Sequence, residues 1–161
     1  MWVKSEYAGE VAVLSTWLCA LLPWSVSLLT IKGATAVWIR FLPGRFLYVF
    51  GVPTNRPFRW VWEIPGFVST RGEVLSAYVW LAGAVVFLLP LGLSVLYYVR
   101  EDYVDSWDYD PVRLMGGLLV TSGGLLFVAS AMLWWFTTTT LPIGSLIQMG
   151  LGVVLLRAER T

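Results

Sequence analysis

Three long stretches of this chain carry no charged residue: 11–31, 74–99 and 114–156, of 21, 26 and 43 residues. A hydrocarbon slab about 30 Å thick takes about 20 apolar residues at about 1.5 Å rise each. The first two stretches match one helix apiece. The third would run to about 64 Å as a single helix, twice a bilayer, and so has to break. Its break point is Thr137-Thr138-Thr139-Thr140-Leu141-Pro142, where Thr140 is expected to cap a further helix and Pro142 to fall in its first turn. The pattern predicts an all-α membrane protein: a bundle of four transmembrane helices over about 6–31, 71–99, 111–136 and 140–156, with both termini on one side.

Local signals sharpen these elements. Ser5 is the expected cap of the first helix. Pro23 is expected to kink that helix, with Ser25 and Ser27 satisfying the freed carbonyl. Thr70-Arg71-Gly72-Glu73 matches a capping box ahead of the second helix, which carries Pro90 as a second kink. Asp110-Pro111 places an acidic cap before a proline at the first helical position of the third. The fourth helix is short, which favours local bilayer thinning over tilt. Ala34-Thr35-Ala36 resembles a signal-peptidase site, but Lys4 set against Glu6 and Glu10 gives no positive leader, so the first helix is expected to stay.

Between the first two helices, 32–73 forms an aromatic and basic extramembrane segment. Runs 36–42 and 45–50 are rich in β-branched and aromatic residues, with the turn pair Pro43-Gly44 between them, and 58–64 looks similar. Two readings stand: a small β-meander, or an irregular loop lying on the membrane surface. Arg40, Arg45, Arg56 and Arg59, beside Trp60 and Trp62, make this segment the candidate contact for anionic lipid headgroups or an acidic partner. Each basic residue near an anionic surface adds about 1 kcal/mol. Plain interfacial anchoring is the competing use of the same residues.

Composition narrows the chemistry. The apolar share is 58% and mean hydropathy +0.73, with a net charge of only +1, which gives no reason to expect a nucleic-acid partner. No histidine occurs, so the commonest general base and metal ligand is missing. The single cysteine, Cys19, excludes an intrachain disulfide. No catalytic residue, metal site or cofactor is predicted. The acidic run 100–113 lacks the glycine and distal glutamate of a calcium loop and reads as a solvated connector. Tryptophans and tyrosines fall into two groups: Trp38, Trp60, Trp62, Trp80, Trp134 and Trp135 near one interface, and Trp2, Tyr97, Tyr98, Tyr103, Trp107 and Tyr109 near the other, as amphipathic rings at headgroup level do. Lys and Arg divide six to five between the two sides, which sets no orientation.

Small residues mark candidate helix-packing faces: Ala12, Thr16 and Ala20 on the first helix, Gly117, Thr121, Gly124 and Ala131 on the third, Gly144 and Gly152 on the fourth. Close approach through small residues is how helices associate in lipid. These faces serve the bundle itself or a second copy. Gln148, the one long polar side chain inside a predicted span, is expected to hydrogen-bond a hydroxyl of the third helix. No span interior holds an ionisable group, which argues against ion-coupled transport. A non-enzymatic accessory, assembly or lipid-interacting component results, with the bilayer and a membrane-protein partner or second copy as its contacts. The alternative is a channel or transporter subunit whose pathway at the third and fourth helices is lined by Gln148, Thr121 and the third-helix glycines, formed within one chain or only in an oligomer.

Three segments, Met1-Trp2-Val3-Lys4-Ser5-Glu6-Tyr7-Ala8-Gly9-Glu10, Ala20-Leu21-Leu22-Pro23-Trp24-Ser25 and Arg40-Phe41-Leu42-Pro43-Gly44-Arg45, together look like small uncharacterised multi-pass membrane proteins of halophilic archaea. The resemblance implies a cell-membrane location and carries no functional residue with it.

Overall fold

The computed structural model describes residues 7–31, 34–68, 70–105, 107–136 and 139–158. Met1, Trp2, Val3, Lys4, Ser5, Glu6, Thr137 and Thr138, all named above, lie outside them. Two helices occupy the long apolar stretches, α3 (Arg71–Val99) and α5 (Pro111–Phe136), of 29 and 26 residues. At about 1.5 Å per residue they reach about 43 and 39 Å. Among the described residues they are the two helices long and apolar enough to cross a membrane. Pro90 lies inside α3 without ending it. Asp110 caps α5, its Oδ1 accepting the Val112 N–H at 2.9 Å. Thr70 occupies the cap position of α3 but makes no side-chain cap bond, so the expected capping box does not form.

The first apolar stretch is not one helix. Helix α1 (Ala8–Leu21) covers 14 residues, and the chain then becomes strand β1 (Ser25–Ile31). Leu22, just before Pro23, sits at φ −74°, ψ 139°, the extended conformation that a following proline imposes. Pro23 therefore ends the helix instead of kinking it. Strands β2 (Ala34–Arg40), β3 (Gly44–Val49) and β4 (Phe58–Trp60) follow, then a 3₁₀ turn at Val61–Glu63 and the short α2 (Ile64–Phe67). Beyond α3, α4 (Glu101–Asp105) leads to α5. A fifth strand, β5 (Thr139–Leu141), precedes α6 (Ile143–Leu156). Thr140 thus lies in a strand, and Pro142 takes the cap position of α6.

The strands form one antiparallel sheet in the order β4-β3-β2-β1-β5. This overturns the expected all-α bundle of four spans: the chain is α+β, and α1 and α6, at 14 residues each, are about 21 Å long. The four longer helices still pack side by side around Ala12, Phe87, Met115, Leu119, Leu126 and Leu155, all buried. The sheet joins them where Trp24 meets Trp80, ring centroids 5.1 Å apart, and where the Ser145 N–H bonds the Trp24 carbonyl at 3.2 Å. Gly144 allows this junction: a Cβ there would lie 2.2 Å from the Pro23 carbonyl oxygen. Beyond this level α5 packs on β5 and α6 on β1.

Candidate functional site: an arginine row on the sheet

The site begins with a tight turn. Phe41 N–H bonds the Gly44 carbonyl at 2.8 Å, closing the Phe41-Leu42-Pro43-Gly44 reversal and setting Arg40 of β2 directly opposite Arg45 of β3. Arg45 in turn pairs with Arg59 of β4. Side chains directly opposite on neighbouring strands share a face, with Cβ atoms about 5 Å apart. Three guanidinium side chains therefore stand in one row across three strands, continued on β1 by Ser25, the partner of Arg40. Gly44 is required where the turn re-enters the sheet, since a Cβ would meet the Arg59 carbonyl oxygen at 2.4 Å.

The sheet is inverted relative to an ordinary amphipathic one. Its helix-facing side carries the arginine row and a second row, Thr140–Ser27–Trp38–Leu47. Its outer side carries Leu141–Val26–Ile39–Phe46–Phe58 and Thr139–Leu28–Val37–Tyr48. Leu28, Phe46, Tyr48 and Leu141 are all exposed there, and no charged residue of the described strands points outward. Trp60 and Trp62, stacked at 4.8 Å and 8°, stand exposed at the β4 edge.

Arg40 is 4% exposed and Arg45 9%. Arg40 donates from Nη1 to Ser27 Oγ, and Ser27 is hydrogen-bonded to Thr140 Oγ1 at 2.6 Å. This anchors one side of the guanidinium to β1 and β5. Burial pushes Arg40 down to about 9, the Arg45 charge adds to the fall, and Glu73 opposes it. Arg45 is lowered for the same first reason, with Glu73 opposing and Arg59 adding. The row faces a cleft of about 540 Å³ closed by Trp38 and Leu47 on the sheet, Val68 and Glu73 toward α3, and the 54–57 turn with Arg56. Four arginines and one carboxylate line it. Behind the row, a recess of about 10 Å³ reaches Ser76 and Trp80. Trp80 Nε1, and Ser25 Oγ at the end of the row, are buried without a hydrogen-bond partner among the described residues.

Like charges directly opposite one another on a sheet destabilise it, and buried charge is costly without compensation. An arginine fork matches the oxygens of carboxylates and phosphates two at a time. The arrangement presents arginine forks to the cleft.

The structure gathers Arg40, Arg45, Arg56 and Arg59 at one cleft; Trp60 and Trp62 stand outside it. Glu73 belongs to the cleft although its sequence position suggests a helix cap, and Ser27 holds an arginine although its position suggests repair of a kinked helix. The Pro43-Gly44 turn was the signal available for this pairing. Elsewhere, Gln148 is buried and donates from Nε2 to Ser122 Oγ and, at 3.4 Å, to the Leu119 carbonyl. Thr121 is exposed and bonds the Gly117 carbonyl at 2.9 Å, on a different face of α5 from the Ser122 that meets Gln148. Close helix contact runs through Gly116 and Gly123 facing Gly152 and Met149, while Gly124 faces open space and Gly117 only touches Leu156. The third-helix face is therefore one residue out of step with the expected one. Ala12 and Thr16 are fully buried and Ala20 is half-buried.

No curated protein matches the chain. A family described as one of unknown function (DUF7549) matches residues 1–160, and the chain belongs to that family.

Proposed function

We propose that the protein is a multi-pass membrane protein, a non-enzymatic accessory component that binds an anionic group in the arginine cleft at its sheet-capped end. The register of Arg40, Arg45 and Arg59 across three strands carries this reading. Two long apolar helices support the membrane setting, as does an outer sheet face whose exposed side chains are apolar or aromatic. A sheet with guanidinium groups inside and Leu28, Phe46 and Tyr48 outside is the reverse of what water selects and suits the headgroup depth of a bilayer. Both termini then lie on the side opposite the sheet. A cell-membrane location in a halophilic archaeon belongs to the same proposal.

The test is binding of purified protein to nanodiscs or vesicles of anionic against zwitterionic lipid, and to soluble anions, with Arg40, Arg45, Arg56 and Arg59 changed together to Gln. Binding should fall at least tenfold. Unaltered binding removes the cleft from the mechanism, and extraction of the native protein from membranes by alkaline carbonate refutes the membrane setting.

A further inference from the structure

We propose that a second cleft, between α1 and the end of α3, binds an organic ammonium ion and takes a quaternary ammonium in preference to a primary one. The cleft holds about 390 Å³, within the range of sites for small ligands, and lies at the end of the helices away from the sheet. Glu10, Leu14 and Trp17 line it from one face of α1; Tyr97 and Tyr98 of α3, and Glu101 where α4 begins, line the other side. It shares no residue with the arginine cleft, so its ligand is independent of the anion.

Aromatic faces are the first reason. Trp17 and Tyr98 stand with ring centroids 5.4 Å apart and planes inclined at 59°, two walls of a corner. The face of such a ring is its negative side and attracts a cation held within about 6 Å of the centroid, tryptophan most strongly. The polar edges here are already engaged. Trp17 Nε1 donates to Ser94 Oγ at 3.1 Å, so the indole leaves a ligand its face and not its N–H. The Tyr97 hydroxyl donates to Glu101 Oε1 at 3.2 Å and orients that carboxylate. Tyr97 is itself 4% exposed and packs on α1 at Gly9, where a Cβ would meet its hydroxyl oxygen at 2.3 Å.

Charge is the second. The charged groups of the lining are Glu10 and Glu101, both negative. Among the described residues neither forms an ion pair and no basic side chain lines the cleft; Arg100, next to Glu101, is exposed and outside the lining. Carboxylates only accept hydrogen bonds, so the cleft repels an anion and draws a cation.

Desolvation sets the preference within that class. A primary ammonium gives up N–H hydrogen bonds to water when it enters between rings, and each one lost without a replacement is costly. A quaternary ammonium has none to lose, and its methyl groups pack against Trp17, Tyr98 and Leu14 while its charge meets the ring faces. The ammonium can come from a lipid headgroup or from a soluble molecule.

The experiment uses the full chain in micelles of the uncharged detergent dodecyl maltoside and reads equilibrium binding of labelled choline. In the soluble arm the competitors are tetramethylammonium, ethanolamine and the uncharged isostere of choline with carbon in place of nitrogen. In the lipid arm phosphatidylcholine, or phosphatidylglycerol as the lipid without a cation, is mixed into the micelles. Choline should bind at least tenfold more tightly than its uncharged isostere and several-fold more tightly than ethanolamine. Trp17→Leu should lose about tenfold in affinity, the scale of a desolvated cation on a ring face, and Trp17→Phe, which restores a face, should recover most of it. Glu10→Gln, at an exposed position where folding is not at stake, should lose several-fold. Phosphatidylcholine competing at least tenfold better than tetramethylammonium identifies a lipid source, and the reverse identifies a soluble one. Ethanolamine bound as tightly as choline overturns the quaternary preference. No saturable choline binding, equal binding of the uncharged isostere, or binding that neither Trp17→Leu nor Glu10→Gln alters overturns the site.

Discussion

Changing Arg40 to Met should make the unliganded protein more stable while removing its grip on anions. Arg40 is 4% exposed, and burial first, then Arg45, pushes its guanidinium down from its ordinary range to about 9. At about 1.4 kcal/mol per tenfold change in proton affinity, that fall corresponds to roughly 5 kcal/mol by which the folded state disfavours the charge. Methionine is flexible and apolar and fills the same narrow path. Against the gain stands the lost charged hydrogen bond to Ser27, worth about 1.5–3 kcal/mol, although Ser27 keeps Thr140. The net is a stabilisation of about 2–4 kcal/mol, in the range found when buried charges are replaced by well-packed apolar groups. For a chain of this size that raises the melting temperature by about 5–10 °C. The sign follows from linkage: the unfolded guanidinium keeps its proton at pH values where the folded one, near 9, releases it, so native stability rises with pH above about 9. The advantage of the Met variant should be constant from pH 6 to 8 and shrink above about 9. The assay is thermal unfolding in one detergent, in anion-poor buffer and again with pyrophosphate. The native protein should gain from pyrophosphate and the variant should not. A variant less stable than the native protein in anion-poor buffer would refute the reasoning, because it would mean that the fold already compensates the charge.

Other predictions follow from contacts of the same kind. Ser27→Ala takes away the acceptor of Arg40 Nη1 and the partner of Thr140; it should lower stability by about 1–3 kcal/mol, read by thermal unfolding, and weaken anion binding without abolishing it. Gly144→Ala drives a methyl against the Pro23 and Trp24 backbone and should cost at least about 2 kcal/mol, whereas Gly124→Ala, which meets nothing within 4 Å, should gain about 0.5–1 kcal/mol from helix propensity; equal effects in the same unfolding assay would refute the packing described for α5 and α6. With Cys19→Ala as background, Leu28→Cys and Tyr48→Cys on the outer sheet face should resist a membrane-impermeant maleimide in vesicles, while Asn55→Cys at the exposed turn reacts from whichever side the sheet occupies. Rapid labelling of all three would place the outer face in water.

Long uninterrupted apolar runs made α3 and α5 legible, since few structures other than a helix use 26 such residues. The 11–31 stretch has the length of a span, and length alone hides the change from α1 to β1. The change was written in finer detail: Pro23 forces Leu22 into extended backbone, and Ser25 and Ser27 alternate with Val26 and Leu28, the period of a strand. Hydropathy averages that alternation away. Likewise the β-branched run ending at Thr140 has strand propensity, yet its position between two helices makes it read as a cap. The four arginines were visible as a cluster. Their register was not, because it depends on a turn that closes at Phe41 and Gly44 and on a β4 strand of only three residues. Glu73 escaped because a carboxylate three residues past a threonine satisfies a local rule, and only the tertiary fold shows it facing Arg40 and Arg45.

The pairing of β1 with β5 ties Ser27 to Thr140, 113 positions away. During synthesis β1 emerges early, but its far neighbour cannot exist until α5 has been made. The sheet must therefore close last, from its C-terminal margin, after the chain has crossed back on itself. Such distant closure is slow relative to local hairpin formation, so the nascent β1 edge has to wait with its amides unoccupied, open to chaperones or to proteolysis. Limited proteolysis of stalled chains ending near residue 136 should cut within 25–31, and completed chains should resist. Cleavage equal in both would show that β1 needs no late partner.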